Sequence, residues 1–325
     1  MDAFAHLHAN SVGKARRGPI SGNGGLAISA LRFLNGHRQP RKVLVLLLLL
    51  AIYAVKRIWI RDELIISPRR PQDLYSLWKL CRHAGIRTIS EERKHAASAK
   101  YLLGTMVHDD DTWSNAMPGC INGLCTDISK THVDAMFGQA FGYRTKLDPT
   151  TFVGRGVEKA EANFSGGGNF VTLPLAAPMV KPDHIYQRLV DNETAPGVVT
   201  EYRVAVIFGE IADVIVQRRS IDNRLTGRGR GGALDATIHS AAEVFSEREI
   251  ANIVKFCALL NMDFGELDIL PDVNERRVYI LDANKTPSYM VRSSACTLER
   301  FRLIQRRSAA FHRLLRERAQ AGKRN

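Results

Sequence analysis

The sequence has few cysteines, and none of them fall in a metal-binding rhythm. Its five (Cys81, Cys120, Cys125, Cys257 and Cys296) include no C-x-x-C pair. That disfavours a zinc ribbon and is too sparse for a disulfide framework, so the chain reads as a reduced, intracellular protein. G-x-S-x-G, H-E-x-x-H and G-x-x-x-x-G-K-[ST] are also missing, which removes the motif basis for α/β-hydrolase, zinc-protease and P-loop chemistry. No apolar run reaches the roughly 20 residues that a helix needs to cross hydrocarbon. The longest, Val43 to Val55, holds 13 uncharged residues between Arg41-Lys42 and Lys56-Arg57. No small-residue cleavage site follows it, which disfavours a cleaved signal peptide.

Basic charge is scarce in the middle of the chain. Residues 1–100 carry +12, residues 288–325 carry +8, and residues 101–287 carry −7 of the formal net charge of +13. A nucleic-acid enzyme lines its working groove with Lys and Arg, so this distribution disfavours nucleic acid as a partner. Basic ends around an acidic middle fit a membrane surface or an acidic partner better. The apolar run is read first as an interfacial or shallow membrane anchor, then as a span with snorkelling Lys56 and Arg57, then as a buried core helix.

What remains is the composition of a globular protein, 45% apolar and 24% charged. Residues 1–41 read as a disordered basic tail, and residues 42–60 as an apolar helix. Pro71-Gln-Asp73 opens a helix that stops at Gly85, followed by a short strand over Ile86–Ile89. Asp127-Ile-Ser129 caps a helix carrying Val133, Met136, Phe137 and Phe141 and ended by Gly142. Ser246-Glu-Arg-Glu249 is a capping box before Ile250, Ile253, Val254, Cys257 and Leu260. A last helix near 297–319 sets Leu298, Phe301, Ile304, Phe311 and Leu315 in one stripe. Two hairpins are expected: Val198–Phe208 with Ile211–Gln217 through Gly209-Glu210, and Gly265–Leu270 with Arg277–Leu281. Helices and antiparallel strands interleave, giving an α+β (mixed α/β) fold. The stretch Asn223 to Gly232 reads as a flexible basic loop.

Chemistry concentrates in residues 263–287. Side chains two apart on a strand share a face, so Glu266 pairs with Asp268 and Asp282 with Asn284. A hairpin brings the two pairs together as hard oxygen ligands of the kind Mg²⁺ takes beside phosphates. The alternative is the solvated face of an acidic hairpin. Glu266 is read either as a further metal ligand or as the partner of an arginine such as Arg203. Cys120 and Cys125, near His108 and His132, form a weaker candidate for Cys–His catalysis than for structural thiols.

These residues resemble the ATP-grasp family. Its C-terminal half has an acid on one strand, then an acid-x-Asn-x-x-Pro turn, here Leu267-Asp268-Ile269 and Tyr279-Ile-Leu-Asp282-Ala-Asn284-Lys-Thr-Pro287. Glu201-Tyr202-Arg203-Val204-Ala-Val206 is similar to the family's strand bearing a phosphate-contacting arginine. Ile185 to Val190 is similar to its hinge strand. Val157-Glu158-Lys159 and Phe164-Ser-Gly-Gly-Gly-Asn169 resemble its lysine strand and mobile loop. Two departures stand out. Asp282 replaces the usual glutamate, losing ~1.5 Å of reach, and Ser288 rather than glycine follows the proline.

The resemblance implies two α+β lobes sandwiching ATP (146–290), preceded by a small α/β domain (61–145) and followed by a C-terminal basic helix (291–325). It implies that Asp268, Asp282 and Asn284 hold Mg²⁺ between the β- and γ-phosphates, and that Arg203 and Lys159 stabilise phosphate charge. Lys146 competes with Lys159 for that role. Gly166, Gly167 and Gly168 would cover the phosphates, Gln187, Arg188, Leu189 and Val190 would position adenine, and Asp191 would reach the ribose. The implied activity is a cytoplasmic carboxylate–amine or carboxylate–thiol ligase acting on a small-molecule carboxylate. A kinase-like phosphoryl transfer and a non-catalytic, membrane-associated nucleotide-binding protein are the alternatives.

Overall fold

The computed structural model describes residues 40–67, 76–90, 99–102, 119–161, 167–225, 234–287 and 297–321. The fold is mixed α+β, with three β-sheets and six α-helices among the described residues. A parallel three-stranded sheet, in the order β2-β1-β3, is built from β1 (Glu63–Ser67), β2 (Arg87–Ser90) and β3 (Ala99–Leu102), with α2 (Ser76–Ala84) between the first two strands. The expected start of α2 at Pro71 lies outside the described residues. Its expected stop does not: Gly85 takes φ +78°, a left-handed conformation that glycine adopts without strain.

α1 (Pro40–Lys56) begins two residues earlier and ends four residues sooner than the expected segment 42–60. No helix among the described residues is long and apolar enough to cross a membrane. Most of the basic tail expected over residues 1–41, and most of the basic loop expected over Asn223–Gly232, lies outside the described residues.

α3 (Lys130–Phe141) starts where Ser129 caps it, its hydroxyl accepting from the His132 N–H, and ends at left-handed Gly142. Three antiparallel strands follow, β4 (Gly154–Ala160), β5 (Asn169–Leu173) and β6 (His184–Arg188), in the order β5-β4-β6. The largest sheet contains β8 (Val198–Ile207), β9 (Glu210–Ser220), β10 (Asp235–His239), β11 (Phe264–Asp272) and β12 (Arg277–Asn284), in the order β10-β9-β8-β11-β12. The short β7 (Glu193–Ala195) pairs with the start of β8. The β8–β9 turn is centred on Phe208 and Gly209, both with positive φ, one residue earlier than expected. Two positive values at the central positions suit the right-handed twist of the flanking strands.

Side-chain alternation gives the large sheet two different faces. Val204, Val206, Val214, Leu267, Ile269 and Ala283 point to one core, packed by Val133 and Phe137 of α3. Ile253, Phe256 and Cys257 of α5 (Glu247–Leu259) complete it; that helix begins at the expected Ser246–Glu249 capping box, and the four-residue α4 (Ala241–Val244) precedes it. The opposite face carries the charged set at 201, 203, 213, 266, 268 and 282. α6 (Thr297–Ala321) buries Leu303, Ile304, Phe311 and Leu315. Leu298, expected in the same stripe, is exposed.

Candidate active site

The register of the large sheet decides which charges meet. Asp268 stands directly opposite Arg203 on β8 and opposite Asp282 on β12. Residues opposite one another on neighbouring strands share a face. Two carboxylates and one guanidinium therefore lie side by side. They form one wall of a cleft of about 420 Å³, whose other wall is the small sheet, with Val157, Lys159, Gln187 and Arg188.

Most of the residues singled out in the sequence line this cleft: Lys159, Gly167, Gly168, Gln187 to Val190, Arg203, Asp268 and Asp282. Gly166 lies outside the described residues. Three others are not among the cleft's lining. Lys146 is exposed and its ammonium donates to Thr131 Oγ1 at 3.4 Å. Asp191 instead accepts from Asn274 Nδ2 at 2.7 Å, in the β11–β12 turn. Asn284 is opposite Glu266, 4% exposed, and its Oδ1 accepts from the Thr286 N–H at 3.0 Å. Among the described residues no three acidic, histidine or cysteine side chains converge as a metal cluster. Of the three expected metal ligands, Asp268 and Asp282 line the cleft and Asn284 does not.

Arg203 is held by acids on all sides. Its Nη2 lies 2.9 and 3.0 Å from the two oxygens of Asp268, its Nη1 is 3.6 Å from Glu266, and its Nε is 3.7 Å from Glu201. Burial alone would lower its pKa, but Asp268, Glu201, Glu266 and Asp282 outweigh that and hold it above the ordinary arginine range. Lys159 goes the other way. Burial pushes its ammonium below the ordinary lysine range, against the pull of Asp282, and Lys130 adds repulsion. Gly168 sits against this strand: a Cβ there would lie 2.7 Å from Val157 Cγ1 and 3.0 Å from Lys159 Cγ. Only a residue without a side chain lets the backbone approach so closely.

Lys130, Glu201, Arg219 and Asn192 line the cleft without having been expected there, and Arg224 comes from the stretch read as a basic loop. Lys130, the first residue of α3, faces Asp282 and is lowered by burial. Glu201 was readable in principle, two residues before Arg203 on the same strand face. Arg219 lies 3.2 Å from Glu201, and Arg224 donates to the Val190 carbonyl. Asn192 and Gln187 are both buried at the hinge, and each keeps an amide oxygen without a hydrogen-bond partner.

No family model matches the chain, and no curated protein does. Solved structures that the chain resembles include the ATP-grasp ligase PsnB complexed with minimal precursor, at 14% identity over 77% of this chain and 97% of that one, TM-score 0.47. A RiPP-associated ATP-grasp ligase from Chryseobacterium gregarium, in complex with ADP and a leader and core peptide, shares 12% identity over 79% and 97%, TM-score 0.44. D-alanine–D-alanine ligase from Bacillus anthracis shares 12% over 79% and 99%, TM-score 0.43.

The Cys–His alternative gains no support at Cys125. Cys120 and Cys125 are buried, and burial pushes the Cys125 thiol up to about 11, against Lys285, which lowers it. A thiol so raised is protonated at neutral pH and is a poor nucleophile.

Proposed function

We propose that the cleft binds ATP with Mg²⁺ and that the chain is an ATP-grasp-type ligase. In this reading it activates a small-molecule carboxylate as an acylphosphate for attack by an amine or similar nucleophile. The observation that carries the reading is the charge pattern within one cleft: Lys130, Lys159, Arg188, Arg203, Arg219 and Arg224 line it together with Glu201, Asp268 and Asp282. An excess of cations around two adjacent carboxylates suits a polyanion that arrives with a divalent ion.

The residues present fit such an ion. At a nucleotide site Mg²⁺ is held through one or two carboxylates plus substrate phosphates and keeps several waters, so Asp268 and Asp282 suffice as its protein ligands. When bound, the ion would neutralise charge developing on the phosphates. Lys159, Arg203 and Lys130 would align the phosphates from the two walls, where positioning and charge stabilisation do most of the work. The unpartnered amide oxygens of Gln187 and Asn192 support a base and sugar at the hinge, since adenine's amine and ribose hydroxyls are donors. ATP use would put the cleft in the cytoplasm. A metabolite screen scored by ADP release, with Mg·ATP binding measured beside it, tests the reading. Tight binding with no turnover under any carboxylate–nucleophile pair favours the non-catalytic alternative.

A specific observation supports a membrane partner as well. Leu47, Leu48, Ala51, Ala54, Val55, Ile58 and Trp59 are exposed along α1 and the turn after it, at the spacing of one helical stripe. Leu49 is buried on the other side, and Arg82 stacks 4.3 Å over Tyr53. An apolar stripe bordered by Lys56, Arg57 and Arg61 suits the interface of an anionic bilayer. Trp59, 74% exposed, is a natural reporter. Anionic vesicles should shift its emission to the blue, and no shift at any lipid concentration defeats the idea.

A further inference from the structure

A line of buried charges runs from the last helix to the cleft. Arg307 of α6 is 3% exposed, and its guanidinium is fully engaged. Its Nε and Nη2 donate to the two oxygens of Asp213, both at 2.6 Å, and its Nη1 donates to Oε1 of Glu266 at 2.6 Å. Glu266 is 2% exposed, and its other oxygen, Oε2, has no hydrogen-bond partner and lies 3.6 Å from Arg203 Nη1. Arg203 in turn meets Asp268 at the cleft wall. Glu266 therefore sits between two guanidinium groups, tightly bonded to the deep one and loosely paired with the one that faces the cleft.

That asymmetry sets the aim of Arg203. A carboxylate buried this deeply needs a cation with good hydrogen-bond geometry. The fork of Arg307 supplies one, so Glu266 makes no strong demand on Arg203. With a weaker deep partner, Glu266 would draw Arg203 the short remaining distance toward itself, and attraction is strong where water is excluded. Arg203 would then turn away from Asp268 and the cleft.

We propose that Arg307 is a positioning residue for the nucleotide site: by satisfying Glu266 and Asp213 from α6, it leaves Arg203 aimed at Asp268 and at bound phosphates. This rests on the reading of the cleft as an Mg·ATP site. It gives the last helix a role beyond covering one face of the sheet, because an element outside the cleft governs a side chain within it.

The test is calorimetric titration of Mg·ATP into the full-length wild type and R307K, with circular dichroism as the fold control. Lysine keeps the charge but cannot bond both acids as the fork does. The dissociation constant should rise about tenfold in R307K, within the usual range for broken charge networks. Adding E266Q should bring it back to within about threefold of wild type, because the carboxylate that captures Arg203 is gone. A purely structural role would lower the melting temperature and leave affinity untouched. Wild-type affinity in folded R307K, or a loss that persists in R307K/E266Q, overturns the proposal. Should R307K not fold, E266Q alone decides, since glutamine still accepts from Arg307. Its affinity should then stay within about threefold of wild type, because Arg203 has nothing left to turn toward, and a larger loss overturns the proposal. A wild type that binds no Mg·ATP defeats the functional reading itself, whatever the variants do.

Discussion

The guanidinium of Arg203 lies 2.9 Å from the carboxylate of Asp268 across β8 and β11, so one of the two candidate metal carboxylates already has a counterion. A free metal ion would have to compete with a cation fixed in the fold. A metal–nucleotide complex brings phosphates that can take over Arg203 while the ion takes Asp268. The pair thus favours binding of ion and nucleotide together.

Thermal melts should show this directly. Millimolar Mg²⁺ alone should leave the melting temperature unchanged, whereas Mg·ATP should raise it. At a hundredfold excess over the dissociation constant the gain is about 2.7 kcal/mol. Equal shifts with Mg²⁺ alone and with Mg·ATP would contradict the exchange.

Lys159 gives the cleft a pH dependence whose sign is fixed. Burial holds its pKa below the ordinary 10.5, so its positive charge is lost earlier than usual as pH rises. Mg·ATP affinity should therefore fall between neutral pH and 10.5. K159R, charged throughout at that position, should lose less affinity than wild type over that window, with Lys130 accounting for the fall that remains. Without nucleotide the contribution to stability runs oppositely: a depressed lysine pKa favours the folded state more as pH climbs through it. Parallel pH profiles of nucleotide affinity for wild type and K159R would remove Lys159 from the phosphate role.

Gly168 is a packing constraint on that same lysine. G168A should cost about 1–3 kcal/mol through overpacking against Val157 and Lys159. It should also weaken nucleotide binding, because it pushes on the Lys159 stem. Unfolding in denaturant and a parallel titration separate the two effects. Unchanged values in both would mean that the loop yields freely.

Asp134 anchors the approach to the hinge. Fully buried, it accepts from the Thr145 N–H and hydroxyl, the Lys146 N–H and Arg144, and Thr145 accepts from Gln187. D134A should cost about 3 kcal/mol, since several buried donors lose a charged acceptor. Chemical denaturation measures this, and a loss under about 1 kcal/mol would show that water replaces the carboxylate.

Local signals were legible because they are short-range. Ser129, Gly142 and the Ser246–Glu249 box mark helix ends by chemistry contained within four residues, and the structure uses all three. Alternation placed Asp268 and Asp282 on one face, and strand register then brought them opposite each other. What stayed hidden depends on partners far along the chain. Glu266 finds Arg307, 41 residues away, and nothing near either residue announces the pair. Asp191 was expected at the ribose, but the β11–β12 turn captures its carboxylate through Asn274, 83 positions later. Lys130 carries no mark in the sequence, and packing alone sets it beside Asp282. Asn284 followed the strand alternation, yet a local bond to Thr286 and depth beside Glu266 keep it out of the cleft lining.

The most direct check is calorimetric titration of D282N beside wild type, with ATP in Mg²⁺ and with ATP in chelator. Asparagine preserves shape while removing the negative charge that faces Asp268. The Mg·ATP dissociation constant should rise at least about tenfold in D282N, while metal-free ATP should bind the variant as tightly as wild type or tighter. Equal Mg·ATP affinities in the two proteins, or no binding by wild type, would contradict the account.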